Sequence, residues 1–366
     1  MQIFRFIVER AFSRADITIN GHRPWDIHIH SDRFYPNVLF NGSLGLGESF
    51  MQEQWSTDDL EELFYRLVST NLVRVSNRLP LHTLKQFVDR RINQQTHAKA
   101  LRNSEHHYNI GNDLFFSFLG KYKNYSCGYY ADASSLDEAQ EAKMLRVCEL
   151  LDLNQTDRLL DVGGGWGEFA RFAATRFGCN VTSINISGEQ IRHAKEYCRG
   201  TPVEIRKQDY RDVRDRFNKI AVLAMFTHVG HKNYQSFMDI MRRCLEPGGK
   251  MIMETVGGPV SKSNCEPWTN KYIFPGGMIP SLQQIDVAIE GLFVRDLISE
   301  FGSDYVFTLR EWHRNLVHAW PSLNGKYSDD TGRMFEYFFH SVAGAFRAKE
   351  LLHWHIVFLP TSRGGA

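Results

Sequence analysis

The spacing of apolar and polar positions changes along the chain. Early on it is mixed. Ile17-Thr18-Ile19-Asn20-Gly21 and Ile27-His28-Ile29-His30 alternate with the period of half-buried strands and predict two short strands joined by a turn. Gly42, Gly45 and Gly47 predict a loop, and Ser56-Thr57-Asp58-Asp59-Leu60 supplies helix-start chemistry before Leu60, Phe64 and Leu67 on one helical face. From about residue 145, strand-like and helix-like stretches take turns. Strands are predicted at Arg158–Val162, Asn180–Ile184, Val203–Ile205, Ile220–Phe226 and Lys250–Glu254, the last after the turn Glu246-Pro247-Gly248-Gly249. Helices are predicted at Glu168–Phe177 and Glu189–Cys198. That alternation implies an α/β fold: an open, mainly parallel sheet with helices on both faces. The predicted organisation is a small α+β domain over 1–73, a helical linker over 74–102 and the α/β domain over 103–366.

Charge changes this picture in one place. Over 366 residues, 43 Lys and Arg face 42 Asp and Glu, a net charge of +1, with 43% hydrophobic and 23% charged residues. That balance excludes a disordered chain and a general polyanion binder, and no nucleic-acid partner is expected. Within 74–102, however, Arg74, Arg78, Lys85, Arg90, Arg91, Lys99 and Arg102 face the single acid Asp89. Such a segment is either a solvated basic helix or a patch for anionic lipid headgroups. No uncharged apolar run reaches the ~18 residues of a membrane span. The six cysteines form no Cys-x-x-Cys pair, and a reduced, cytoplasmic protein without a metal site is expected. The 26 phenylalanines suggest a large aromatic interior or an apolar substrate pocket.

Candidate chemistry begins where the first parallel strand ends, at Asp161-Val162-Gly163-Gly164-Gly165-Trp166-Gly167. Glycines let the backbone turn tightly and approach a ligand. A dinucleotide fingerprint needs another glycine at 168, and Glu168 stands there instead. A pyrophosphate disfavours that carboxylate, whereas the cationic S-adenosylmethionine tolerates it. A strand-to-helix turn without a ligand is the plainer reading.

Further strings fall into a familiar order. They are Glu105-His106-His107-Tyr108-Asn109-Ile110-Gly111-Asn112-Asp113-Leu114-Phe115, Tyr125-Ser126-Cys127-Gly128-Tyr129-Tyr130, Leu136-Asp137-Glu138-Ala139-Gln140, Ile186-Ser187-Gly188-Glu189-Gln190, Gln208-Asp209-Tyr210-Arg211-Asp212, His228-Val229-Gly230-His231-Lys232-Asn233-Tyr234 and Lys271-Tyr272-Ile273-Phe274-Pro275-Gly276-Gly277. With them the chain resembles, over nearly its whole length, the cyclopropane-fatty-acyl-phospholipid synthases and mycolic-acid methyltransferases. Gly42-Ser43-Leu44-Gly45-Leu46-Gly47-Glu48-Ser49 resembles the N-terminal domain of the long bacterial synthases. The resemblance implies a Rossmann-like class I methyltransferase domain behind a lipid-presenting N-terminal domain. It implies methyl transfer from S-adenosylmethionine to the double bond of an unsaturated phospholipid acyl chain, with closure of a cyclopropane ring. The implied cofactor residues are Tyr125, Ser126, Asp161, Gly163, Gly165, Gly167, Asn185, Ser187, Gln190, Asp209, Tyr210 and Arg211. The implied setting is peripheral, at the inner face of the membrane, with a homodimer left open.

The family's base is a bound bicarbonate held by Cys, Glu, His and Tyr side chains and a backbone group. Matching the motifs gives Cys127 and Tyr305 for two of them. The family Glu falls on Thr227, and the family His falls on Glu254. Bicarbonate is therefore expected to bind weakly, with the Glu254 carboxylate taking over as base and Thr227 and His228 beside it. Aromatic faces such as those of Tyr305 and Phe274 would shelter the cation. Each residue also has a plainer reading: Cys127 as a packed thiol, Tyr305 as a core tyrosine, His228 as a hydrogen-bonding residue, Glu254 as an acceptor for Thr227 or a backbone amide. Phe335, Phe338, Phe339 and Phe346 read as a core stripe or, by resemblance, a lipid tunnel. Two alternatives follow from the altered site: a methyl- or methylene-branched product without ring closure, or a lipid- or cofactor-binding protein without catalysis.

Overall fold

The computed structural model describes residues 1–70, 93, 95–97, 99, 110–263, 265–323 and 325–362. The basic segment lies almost wholly outside the described residues, as does the string Glu105 to Asn109. In chain order the elements are α1 (Gln2–Ser13), β1 (His28–Ile29), α2 (Phe34–Met51), β2 (Trp55–Ser56), α3 (Leu60–Ser69), α4 (Asn112–Phe118), α5 (Leu136–Leu150), β3 (Arg158–Val162), α6 (Glu168–Phe177), β4 (Asn180–Asn185), α7 (Gly188–Tyr197), β5 (Val203–Lys207) and β6 (Phe217–Leu223). There follow α8 (Tyr234–Cys244), β7 (Leu245–Gly257), α9 (Pro267–Tyr272), α10 (Leu282–Ile289), β8 (Phe293–Glu300), α11 (Gly302–Leu323), α12 (Asp329–Arg347) and β9 (Leu352–Pro360). The chain divides into two compact units. One takes Met1–Ile92, Asn264–Pro275 and Tyr305–Leu351, and the other takes Asn93–Ser263, Gly276–Asp304 and Leu352–Ala366.

The second unit is the α/β fold that the alternating pattern implies. Its sheet runs β5-β4-β3-β6-β7-β9-β8. Strands β3 to β7 are parallel, and β9 returns antiparallel between β7 and β8. Buried parallel strands need apolar side chains on both faces. Leu159, Val181, Ala221, Ile252 and Val357 meet α5 and α6 through Met144, Val147, Phe169 and Ala173 on one face. Leu160, Val222, Met251 and Met253 meet Phe237, Met241 and Ile285 on the other. Helix starts carry their own acceptors: Ser135 for α5, Ser187 for α7 and a Ser281/Gln284 capping box for α10.

The first unit departs from the sequence reading in three ways. Residues 17–20 and 27–30 do not form a two-stranded ladder. Ile19 and Ile27 share one parallel bridge, and His28–Ile29 pairs with Trp55–Ser56. Side chains take the backbone donors there: Asp26 accepts from Thr18 N at 2.8 Å and Arg23 N at 3.0 Å, and Asn20 accepts from Ile29 N at 2.9 Å. Second, Gly42 to Gly47 lies inside α2, which kinks at Gly42 (φ 57°) rather than ending in a loop. Third, this unit takes residues 264–275 and 305–351 as well as the N-terminal segment, cutting the chain differently from a boundary at 103. Aromatic packing explains the difference. Tyr337 of α12 meets Phe50, Phe64 and Trp268 at 5.7, 5.0 and 4.4 Å between ring centroids. Glu61 of α3 is buried between Arg310 and Arg347, at 2.7 and 3.0 Å. Phe335, Phe338, Phe339 and Phe346 are all buried in this interior, so the stripe packs as core.

Gly47 is small because of Trp268. A Cβ there would stand 2.3 Å from the indole, whose side chain is buried. Gly47→Ala is expected to destabilise the protein by about 1–3 kcal/mol, read as a lower urea midpoint at unchanged slope.

Candidate active site

The face of the sheet under α5 turns from apolar to ionic toward the carboxyl ends of its parallel strands. Side chains alternate, so two residues beyond Leu159 the same face carries Asp161, and two beyond Ile252 it carries Glu254. Antiparallel β9 sets His355 opposite Glu254 and His353 opposite Val256, both on that face. From α5, Gln140 and Lys143 reach in together, one turn apart. The result is a fully buried ionisable cluster. Lys143 Nζ lies 3.6 Å from Glu254, His353 Nε2 lies 3.3 Å from Oε1, and His355 Nε2 lies 3.6 Å from Oε2. Neither Glu254 oxygen makes a hydrogen bond of good geometry to a described residue. Its burial works to raise the pKa, but Lys143 and the two imidazoles reverse that and hold it well below the ordinary carboxylate range. Burial also lowers His355, which favours the neutral imidazole.

Lys143 ties this cluster to the Tyr-Ser-Cys string. Its ammonium donates to Ser126 Oγ at 2.7 Å, and Gln140 donates to the Ser126 carbonyl at 2.8 Å. Cys127 is buried next to them, its thiol directed to the Gly128 carbonyl at 3.1 Å. Tyr125 packs edge-on to Phe115 and Phe118.

Strand order places the glycine turn at a reversal. The chain runs from β3 outward through β4 and β5, then crosses to β6 and β7 on the other side. A crevice outside the carboxyl ends of the strands, where the order reverses, is where open α/β sheets bind ligands. Gly163 and Gly164 amides donate to Ile184 O, which closes the turn against β4. A Cβ built on Gly165 (φ +54°) meets no atom within 4 Å. Asn185 holds the rim, donating to Gly165 O at 3.2 Å and Gln190 Oε1 at 2.9 Å, while its own oxygen receives the Ile186 and Ser187 amides. Asp161 receives the Ser183 hydroxyl at 2.8 Å, and burial pushes it up to about 6. Glu168 opens α6, is buried, and is pushed up to about 7.

The other expected residues divide. Ser187 caps α7 through Gln190 N. Asp209 grips Arg211 at 2.8 Å, and Arg211 also donates to Gln95 O at 2.8 Å, so both are held in a local ion pair. Tyr210 points into the hydrophobic core beside Phe237, and burial raises it to about 12. Thr227 follows β6; its hydroxyl reaches Ala224 O at 3.5 Å, and its carbonyl accepts Met278 N at 2.7 Å. His228, beside it, is only partly exposed, and burial pushes its imidazole down to about 4. Tyr305 and Phe274 fall in the first unit, where Tyr305 packs 4.8 Å from Phe346 and Phe274 packs 5.8 Å from Phe338.

Sequence reading missed Lys143, His353 and His355. The signal for the histidines was present: they alternate with Trp354 in an otherwise apolar strand, so they share one face. No group of side chains fit for a metal occurs among the described residues, and no helix there is long and apolar enough to cross a membrane.

Residues 95–356 match the family described as mycolic acid cyclopropane synthetase. The chain is 41% identical over 361 residues to the cyclopropane-fatty-acyl-phospholipid synthase of Escherichia coli strain K12, covering 98% of this chain and 93% of that protein. It is 30% identical over 349 residues to the tuberculostearic acid methyltransferase UfaA1 of Mycobacterium tuberculosis, covering 88% and 79%. Among solved structures, the mycolic acid cyclopropane synthase CmaA1 complexed with SAH and CTAB superposes with a TM-score of 0.68 at 23% identity, over 73% of this chain and 99% of that one. That likeness speaks for the fold.

Proposed function

The chain belongs to the mycolic acid cyclopropane synthetase family, and from that premise we propose that it methylates the double bond of an unsaturated phospholipid acyl chain and closes a cyclopropane ring. It is an S-adenosylmethionine-dependent enzyme. The observation that carries the reading is the glycine turn at the strand-order reversal, with open space at Gly165, and the buried ionised Glu254 two strands away in the same sheet.

The residues fit the cofactor. The open side of Gly165 leaves room for a ligand where a side chain would stand, and Asp161 and Glu168 flank the turn with carboxyl groups that burial pushes up and that a bound cation would draw back toward the ionised form. In this reading Asn185, Ser187 and Gln190 would meet the ribose hydroxyls, and Tyr125 and Ser126 would hold the amino-acid part. Asp209 and Arg211 position the β5 end through their ion pair, and Tyr210 supports it from the core. When bound, the cofactor supplies an electrophilic methyl on sulfur.

The same residues do not fit a bicarbonate. Glu254 is already an ionised carboxylate at this strand end, and a second anion beside it meets like-charge repulsion. Lys143 is engaged by Ser126 and Glu254. Glu254 is therefore the proton acceptor of this reading. Lys143 and the imidazoles of His353 and His355 keep it ionised, and its oxygens keep acceptor capacity. When the bound sulfonium has given up its methyl to the alkene and left as a neutral thioether, Glu254 would accept the proton that the new methyl must lose before the ring can close. Cys127 packs beneath, and Thr227 and His228 line the neighbouring strand end.

The enzyme would work on its substrate from the membrane surface, peripherally at the inner face. A branched product is not favoured, because the relative matched along 98% of the chain is a cyclopropane synthase. The test is incubation of the purified chain with S-adenosylmethionine and vesicles of unsaturated phospholipid. One-carbon heavier lipids carrying cyclopropane resonances by NMR are expected. A methylene branch, or no product, would sink the reading.

A further inference from the structure

Residues directly opposite on neighbouring strands share a face of the sheet. On the face beneath α5, Ile252 of β7 stands opposite Val357 of β9, and Val357 opposite Leu297 of β8. All three pack in the apolar layer. The next row on that face is different. It sets Glu254 opposite His355, and His355 opposite Ser299. Helix α5 follows the same line. Lys143 lies 3.6 Å from Glu254 at the inner end, and one turn later Arg146 donates to Ser299 Oγ at 2.9 Å at the outer end.

The row runs from the interior of the sheet to its edge, because β8 is the last strand. Glu254 and His355 are fully buried, whereas Ser299 and Arg146 are partly exposed. Polar groups buried where apolar ones would pack cost stability, and a file of them across an apolar sheet points to function. His353, on the other oxygen of Glu254, does not continue such a line. Its ring meets the buried Phe301 ring at 4.8 Å, so that branch ends on an apolar side chain.

A proton that Glu254 accepts in one turnover must leave before the next, and no face of Glu254 meets solvent. His355 Nε2 stands 3.6 Å from Glu254 Oε2, and hydrogen bonds of this kind are often long before substrate binds. Burial favours the neutral ring, which can accept a proton. The groups that set its charge are Glu254, His353 and Lys143, with Phe301 packed 4.6 Å from the ring.

We propose that Glu254, His355 and Ser299 form a proton line that discharges the acid to solvent at the β8 edge. The O–H bond on Glu254 breaks as an N–H bond forms on His355 Nε2, leaving a carboxylate and an imidazolium. The imidazolium gives one proton to Ser299 Oγ as that hydroxyl gives its own to water. The net change is one proton moved from Glu254 to solvent. A hydroxyl suits the outer position because it accepts and donates at once. The fixed charge of Arg146 beside it disfavours a proton coming to rest there. This line rests on the reading of Glu254 as proton acceptor, but its conduction can be measured without turnover.

The test compares Ser299→Ala with Ser299→Thr, which restores the hydroxyl. The position is partly exposed on an edge strand, and an unchanged melting temperature would verify the fold of both. In rapid-quench assays with S-adenosylmethionine and unsaturated phospholipid vesicles, the first turnover of Ser299→Ala should keep the wild-type rate. Later turnovers should slow about tenfold or more, and Ser299→Thr should recover them. A merely structural role would slow the first turnover as much as the later ones. NMR on the full chain carrying isotope-labelled histidine reads exchange of the His355 imidazole N–H with water. That exchange should slow about tenfold or more in Ser299→Ala and recover in Ser299→Thr. Wild-type exchange in Ser299→Ala would overturn the proposal, and so would slowed exchange with steady turnover unchanged. Absence of product from the wild-type chain would instead count against the proposed function, with the exchange still deciding the line.

Discussion

Glu254→Gln is expected to lower turnover by about 10²–10⁴-fold, the usual worth of a positioned proton acceptor. The amide keeps the shape and removes the basic oxygen pair. It also strands Lys143, whose ammonium is buried beside Ser126, and removing one partner of a buried ion pair costs about 3–5 kcal/mol. Activity and stability therefore both fall, and a second variant separates them. Glu254→Asp keeps the charge that Lys143 needs but withdraws the carboxylate by one methylene, so it should recover most of the stability and little of the turnover. The sign of the pH effect follows from the depressed Glu254 pKa. Its stabilisation is fully present above the unfolded value of about 4.3 and is lost as pH falls through the folded value. Wild type and Glu254→Gln should thus differ most near neutrality and converge in acid, as read by denaturant titration. Turnover should also be the same in carbon-dioxide-stripped and ordinary buffer. A clear dependence on added bicarbonate, or normal turnover by Glu254→Gln, would remove Glu254 from its role.

The α/β architecture was readable because β3, β4, β6 and β7 carry runs of buried positions and β3 and β4 each lead directly into a helix, α6 and α7. Helix Glu168–Phe177 was located to the residue. The N-terminal region was harder for a physical reason. Its short strand at His28 pairs with Trp55–Ser56, far along the chain, while Asp26 and Asn20 absorb the donors a local hairpin would use. Gly47 serves close packing against Trp268, which no local pattern reveals. Glu254 stood out by its departure from the family motif, yet the groups that set its charge did not. Lys143 comes from a helix over a hundred residues earlier, and His353 and His355 arrive on a strand that inserts antiparallel beside β7. Periodicity shows that two histidines share a face. Only the sheet order shows which acid that face meets.

That same order makes the glycine turn the place to test the cofactor. Gly165→Val is expected to weaken S-adenosylmethionine binding by about a hundredfold or more, close to 3 kcal/mol. The side chain would project into space that no protein atom occupies within 4 Å. Valine at a φ of +54° is also strained, by roughly 1–2 kcal/mol, so strain must be told apart from displacement of the ligand. Gly200 provides the control. Its φ is +77°, a Cβ there likewise meets nothing within 4 Å, and it lies in the turn after α7, away from the carboxyl ends of the strands. Gly200→Val should lose similar stability and keep full affinity for the cofactor. Gly164→Ala should behave in a third way, because its Cβ would stand 1.8 Å from Ser183 Oγ and 2.4 Å from Asp161 Oδ2. Ser183 and Asp161 are buried and bonded to each other and cannot give way, so the loss there is of the fold itself. Calorimetry on the three variants, with melting curves alongside, reads these outcomes apart. Equal cofactor affinity in Gly165→Val and Gly200→Val would mean that the open side of the turn faces solvent and not the ligand.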